Sequence, residues 1–164
     1  MRLWHKDLIP VLPDKQLLGQ WRECCAIAKN IAEKGTPNHL LVNKIMDYSI
    51  GHFYIYSEFV YLQMLRRGFR CNFGKFHNLI MRYTNNNVFQ VFHLDDIFAD
   101  WHNDRYYVQC FFNLQEKYDC GGISKDEWEK IHNALIERCL KRKDWTFKCD
   151  DFPGQISAVE VQLQ

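Results

Sequence analysis

Between residues 13 and 37 the chain carries the pattern that most limits its fold. Leu17, Trp21, Cys24, Ala28 and Ile31 recur at steps of three and four, with Leu18, Cys25 and Ala32 beside them. An α-helix puts such positions on one side. The punctuation agrees: Pro13 suits a first turn, Gly35 a C-cap, and Pro37 prevents continuation. The spacing predicts an amphipathic helix over 13–34, whose apolar stripe needs partners from elsewhere in the chain.

Those partners are also helical. A stretch over 38–47 holds Leu40, Leu41, Ile45 and Met46, and one over 51–67 is apolar or aromatic on nearly every side, as a buried central helix would be. Gly68 ends it. Residues 75–83 suit a short helix, 88–92 a short strand, and 104–118 a helix through Tyr107, Cys110, Phe111, Leu114 and Tyr118. Ser124 and Glu127 form a capping box ahead of a helix to about residue 140, with Trp128, Ile131, Leu135, Ile136 and Cys139 facing inward. With no repeat, low-complexity run or linker, the expectation is one compact, mainly α domain with short irregular segments. It divides into a helical core with a basic, aromatic segment over 1–148 and a tail over 149–164.

Composition narrows the class. With 164 residues, 47% hydrophobic and 25% charged, the chain can bury a core. Charged and polar residues interrupt every apolar run well short of the roughly 20 needed to cross a bilayer. The opening MRLWHKDLIPVLPDK lacks the apolar core of a signal peptide, which points to the cytoplasm. Seven cysteines, with no CxxC pair, read as reduced thiols rather than a disulfide framework or zinc site.

The formal charge is +1, but it is unevenly spread. Residues 59–94 carry Arg66, Arg67, Arg70, Lys75 and Arg82 with no acid; residues 95–104 carry Asp95, Asp96, Asp100 and Asp104 with no Lys or Arg. A basic face on a near-neutral protein is compatible with binding phosphates, and equally with two ordinary solvated surfaces.

On the 13–34 helix, Lys15, Arg22 and Lys29 stack along one flank opposite the apolar stripe. Glu23 lies beside Arg22, near Gln16, Gly19 and Gln20. A carboxylate next to a basic stripe, with a glycine one turn away, suits a site that grips phosphates and moves a proton. Any solvated helix also mixes Lys, Arg and Glu, so the pattern alone does not select Glu23.

The Met1-Arg2 start, the run LPDKQLLGQWRE over 12–23, and LRRGF over 65–69 do more. Over about residues 1–70 the chain resembles the pyrimidine-dimer DNA glycosylases of the phage-type endonuclease V family. The resemblance implies that the chain's own α-amine attacks C1′ of the damaged nucleotide, forms a Schiff base as the base leaves, and cleaves the strand by β-elimination. An α-amine titrates at about 7.7 to 8.0 and a lysine near 10.4, so the α-amine needs less activation. Family members begin with a small residue followed by Arg once the initiator Met is trimmed. Arg2 matches that Arg, which makes Met1 the implied nucleophile, since trimming before a bulky Arg is poor. Glu23 matches the catalytic carboxylate, and Arg2 and Arg22 match positions that hold the phosphate backbone. Lys15, Arg66 and Arg67 extend the expected DNA face. Gln16 stands where the phage enzyme has a histidine.

Further along, Lys143 and Trp145 sit in a run of interleaved cations and aromatics, 141–148, suited to gripping a backbone and stacking on a base, or to packing on the core under a charged fringe. His93, Asp95, Asp96, Asp100 and His102 offer nitrogen and oxygen ligands at a spacing that matches no known metal motif, so an acidic surface is expected and no metal or cofactor. His5, Gln16, Gln20 and His52 are candidate site neighbours. The expectation is therefore a monomeric DNA glycosylase with abasic-site lyase activity, acting on damaged duplex DNA without a membrane or obligate protein partner. The alternatives are another modified or mismatched base, or a non-catalytic nucleic-acid- or protein-binding role on the same scaffold.

Overall fold

The computed structural model describes residues 2–87, 89–90 and 92–141. Among these, the architecture is five α-helices joined by turns and three short 3₁₀ segments, with no strand. The predicted amphipathic helix is α1, Asp14–Lys34, buried along Leu17, Trp21, Cys24, Ile27, Ala28 and Ile31. Gly35 closes it in the left-handed conformation at φ 70°, its N–H donating to Ile31 O at 2.9 Å. The helix α2, Ile50–Arg66, is capped by Ser49, and α3, Phe73–Tyr83, by Asn72, whose Oδ1 accepts from the Lys75 N–H at 3.1 Å. Asn103 caps α4, Asp104–Asp119, in the same way. The expected capping box opens α5, Lys125–Lys141: Glu127 accepts from the Ser124 N–H at 2.9 Å and its hydroxyl at 2.7 Å, and these bonds lower the carboxyl's pKa.

One apolar cluster joins all five helices and the N-terminal segment. Trp21 of α1 packs on Phe73 and Phe76 of α3 and Tyr61 of α2; Phe53 and Tyr56 of α2 reach Phe76 and Phe98. Arg138 of α5 bonds Asp7 and, at 2.8 Å, Asp104 of α4, while its guanidinium covers Tyr107 at 4.4 Å. No helix among the described residues is long and apolar enough to cross a membrane.

The structure corrects four local expectations. Residues 38–47 form turns and a 3₁₀ segment, Asn43–Asp47, instead of a helix: Asn38 adopts φ 59°, and the Asn43 side chain takes the His39 N–H into a turn. That leaves Leu40 and Leu41 in solvent. The helix α2 is not buried on every side: Phe53, Tyr56, Val60 and Met64 form the inner stripe while Leu62 and Leu65 are exposed. On α5, Ile131 is buried but Ile136 is exposed. The strand expected over 88–92 falls partly outside the described residues, and Phe89, Gln90 and Phe92 are in no strand. Here Gly51 explains the path of the chain: a Cβ at this position would lie 1.8 Å from Gln90 O, so the segment passes directly over the first turn of α2.

Candidate active site

Residues 2–5 run as irregular chain into the 3₁₀ segment Lys6–Val11, and among the described residues there is no strand for their backbone groups to pair with. Buried N–H and C=O groups must nevertheless be satisfied, and side chains from three helices and one turn do this. The Arg2 N–H donates to Glu23 Oε2 at 2.7 Å and the Trp4 N–H to Gln20 Oε1 at 2.8 Å. Glu23 and Gln20, three apart on α1, therefore hold two alternate residues of the segment. Between them, Leu3 O accepts from the Tyr106 hydroxyl of α4. Trp4 O accepts from the Tyr56 hydroxyl of α2 at 2.7 Å. The Lys6 N–H donates to His102 Nδ1 at 3.0 Å.

This stitching fixes two tautomers. His102 Nδ1 accepts, so its proton sits on Nε2; His5 Nδ1 accepts from the Asp7 N–H, so its Nε2–H donates to His102 O at 2.7 Å. Burial pushes His5 down to about 4 and His102 to about 2, so both rings are neutral at pH 7. Burial also lowers Lys6, whose Nζ donates to Leu94 O at 2.9 Å and to Asp95 O.

Around Glu23 the chemistry is sparse. Cys24 is buried, and burial raises its thiol to about 12; Cys25 is raised to about 11 by the same cause. Neither is an activated nucleophile at neutral pH. Gln20 Nε2 faces Cys24 Sγ at 3.7 Å, which orients the amide so that its oxygen meets Trp4. Gln16 Oε1 is enclosed without a hydrogen-bond partner among the described residues. Arg22 is exposed, as is Lys15, which stands two turns up α1 where its charge acts on Glu127. A Cβ on Gly19 would meet nothing within 4 Å, so this glycine leaves open space beside the carboxylate.

Arg2 lies over Trp4, 5.7 Å from the ring centre, and lines a cavity of about 540 Å³ with Lys44, Arg105, Asn103, Gln109 and Leu41. The geometry thus brings Arg2, Glu23 and Gln20 together at the start of the chain, with Arg22 adjoining on α1.

Residues 1–76 match the pyrimidine dimer DNA glycosylase family. The match to this glycosylase family spans the N-terminal segment, α1, α2 and the start of α3, and so contains both halves of the Arg2–Glu23 contact. No curated protein and no solved structure matches the chain.

Other expected site residues have different surroundings. Arg67 donates to Leu12 O, to Pro10 O at 2.7 Å and to Asp14 at 3.0 Å, which ties the end of α2 to the corner before α1; Arg66 is exposed. His52 accepts from the Phe98 N–H at 3.1 Å and stacks on Phe92, and burial lowers its pKa. Met1, Lys143 and Trp145 lie outside the described residues. Among the described residues no three metal-ligating side chains converge, and Asp96 and Asp100 share no helix because the chain leaves the 3₁₀ segment Leu94–Asp96 at Ile97. Sequence reasoning missed Tyr56, Tyr106 and His102 as clamps on the N-terminal segment; their partners are backbone atoms, which leave no mark in a sequence pattern.

Proposed function

We propose that this protein is a DNA glycosylase with abasic-site lyase activity, acting on damaged duplex DNA, with pyrimidine dimers the substrate class. The observation that carries the reading is the 2.7 Å bond from the Arg2 N–H to Glu23, because the α-amine of Met1 belongs to the very next residue up the chain. A carboxylate and a primary amine of low basicity are the two groups that imine chemistry at a sugar carbon needs.

The steps balance as follows. The unprotonated Met1 amine forms a bond to C1′, and the glycosidic bond breaks with its electron pair leaving on the base, which takes up a proton. The bound amine then gives up one proton, and the C1′–O4′ bond breaks with its electron pair on O4′, which takes up a proton, to give the Schiff base. Loss of a C2′ proton then expels the 3′ phosphate, and water releases the enzyme. Glu23 stabilises the cationic sugar in the first step and carries the proton in the second. Arg2 and Arg22 grip the phosphates on either side. The other amine of the segment, Lys6, is held by two carbonyls, and the neighbouring thiols are protonated; both facts favour the α-amine.

Borohydride trapping of the untagged protein on a duplex with one abasic site, followed by peptide mass spectrometry, tests the reading. The expected adduct is on the Met1 amine, and Glu23→Gln is expected to bind such DNA but lose cleavage by at least about a hundredfold. An adduct elsewhere, or none where a known lyase traps, overturns it.

A further inference from the structure

Leu40 is 87% exposed and Leu41 56%, at the tip of a turn that is otherwise tied down. The Val42 and Asn43 N–H groups both donate to His39 O, Asn43 Oδ1 accepts from the His39 N–H at 3.0 Å, and Asn30 Nδ2 from α1 donates to Pro37 O at 2.9 Å. Val42 and Ile45 anchor the same turn in the core. Two adjacent leucines are thus presented to solvent on a hydrogen-bonded backbone, so the turn itself needs no further ordering when they meet a partner.

Beside Leu41 the surface carries three cations and one carboxylate, Asp100. Leu41 borders the same cavity as Arg2, Lys44 and Arg105, with the amides of Asn103 and Gln109 opposite. An apolar tip beside a rim with a cationic excess and hydrogen-bonding amides matches a duplex better than a protein or lipid surface: phosphates would meet the rim, and a hydrophobic side chain would enter between base pairs. Arg2 joins this rim to Glu23 through its own N–H.

We infer that the turn is a wedge: Leu40 inserts between base steps next to the damaged nucleotide and props open the stack, with Leu41 lining the entry to the cavity. The inference rests on the proposed reading that the partner is damaged duplex DNA. It does not require the imine chemistry.

A duplex carrying a non-cleavable tetrahydrofuran abasic analogue with 2-aminopurine at the adjacent step separates the two. Binding of the unsubstituted protein should raise 2-aminopurine fluorescence. Leu40→Ala should lose most of that rise and weaken binding about tenfold, and Leu40→Met should restore both. The dependence of binding on salt should be unchanged in Leu40→Ala, since an apolar contact releases no counterions, and shallower in Arg105→Gln. Equal fluorescence with Leu40→Ala overturns the wedge, as does a dimer in sedimentation that this substitution dissolves. Failure of the unsubstituted protein to bind overturns both wedge and DNA partner; unstacking without borohydride trapping retains the wedge and removes the catalytic reading alone.

Discussion

Gln20 holds Trp4: a side-chain oxygen on α1 takes the place of a neighbouring strand, accepting from the Trp4 N–H at 2.8 Å in a buried position. Gln20→Leu should therefore cost about 1–3 kcal/mol, the penalty for a buried donor left without an acceptor. Gln20→Glu keeps an acceptor but buries a carboxylate three residues from Glu23, so at pH 7 it should cost at least as much, and less once the pH is low enough to protonate it. Urea unfolding of the two variants checks the order. If the segment positions the reacting groups, Gln20→Leu should also lower the turnover rate more than it changes DNA binding.

Gly19 offers a test in which stability and binding move in opposite directions. Ala at this helix-interior position meets nothing and should stabilise the fold by about 0.5–1 kcal/mol. If a DNA backbone approaches the helix beside Glu23, the added methyl should weaken duplex binding while the melting temperature rises. A rise in stability with unchanged binding would put the DNA elsewhere.

At Gly51 the opposite is expected. The missing Cβ is replaced by the backbone of Gln90, so Gly51→Ala forces one segment away from the other and should destabilise by about 1–3 kcal/mol, measurable as a lower urea midpoint.

Acid should weaken the protein before its carboxylates titrate. His5 and His102 have ordinary values of 6.5 and are held near 4 and 2 by burial. Below 6.5 the unfolded chain takes up protons that the folded chain refuses, so stability is full above that pH and falls as the pH drops toward the folded values. Each ring contributes up to about 1.4 kcal/mol per pH unit in that window. Urea unfolding at pH 7, 6 and 5 should show the fall. His102→Asn, which offers an oxygen to the Lys6 N–H, should remove roughly half of the slope.

The sequence made α1 legible because its apolar spacing, Pro13 and Gly35 all describe one helix, and Ser124 with Glu127 announced α5. Residues 38–47 misled because Leu40, Leu41, Ile45 and Met46 have helical spacing, whereas the left-handed Asn38 and the Asn43 side chain build a turn whose outward leucines no periodicity argument places in water. Glu23 stood out through its resemblance to a known motif, and its proximity to Arg2 followed from neither spacing nor charge. Gln20 looked polar and peripheral but is 1% exposed, because its function is to satisfy another segment's backbone. Contacts from side chain to distant backbone carry almost no sequence signature, and the N-terminal segment is built from them.

The segment from Arg2 to Asp7 is bound to partners as far along as Tyr106 and Arg138. Synthesis proceeds at about 5–20 residues per second, so for several seconds Arg2 and Glu23 exist without the aromatic hydroxyls and imidazole that hold the leading segment in register. Contacts this distant in sequence form late. A chain ending before His102 lacks both the His102 and the Tyr106 clamp, so the geometry around Arg2 and Glu23 is complete only once the start of α4 has been added.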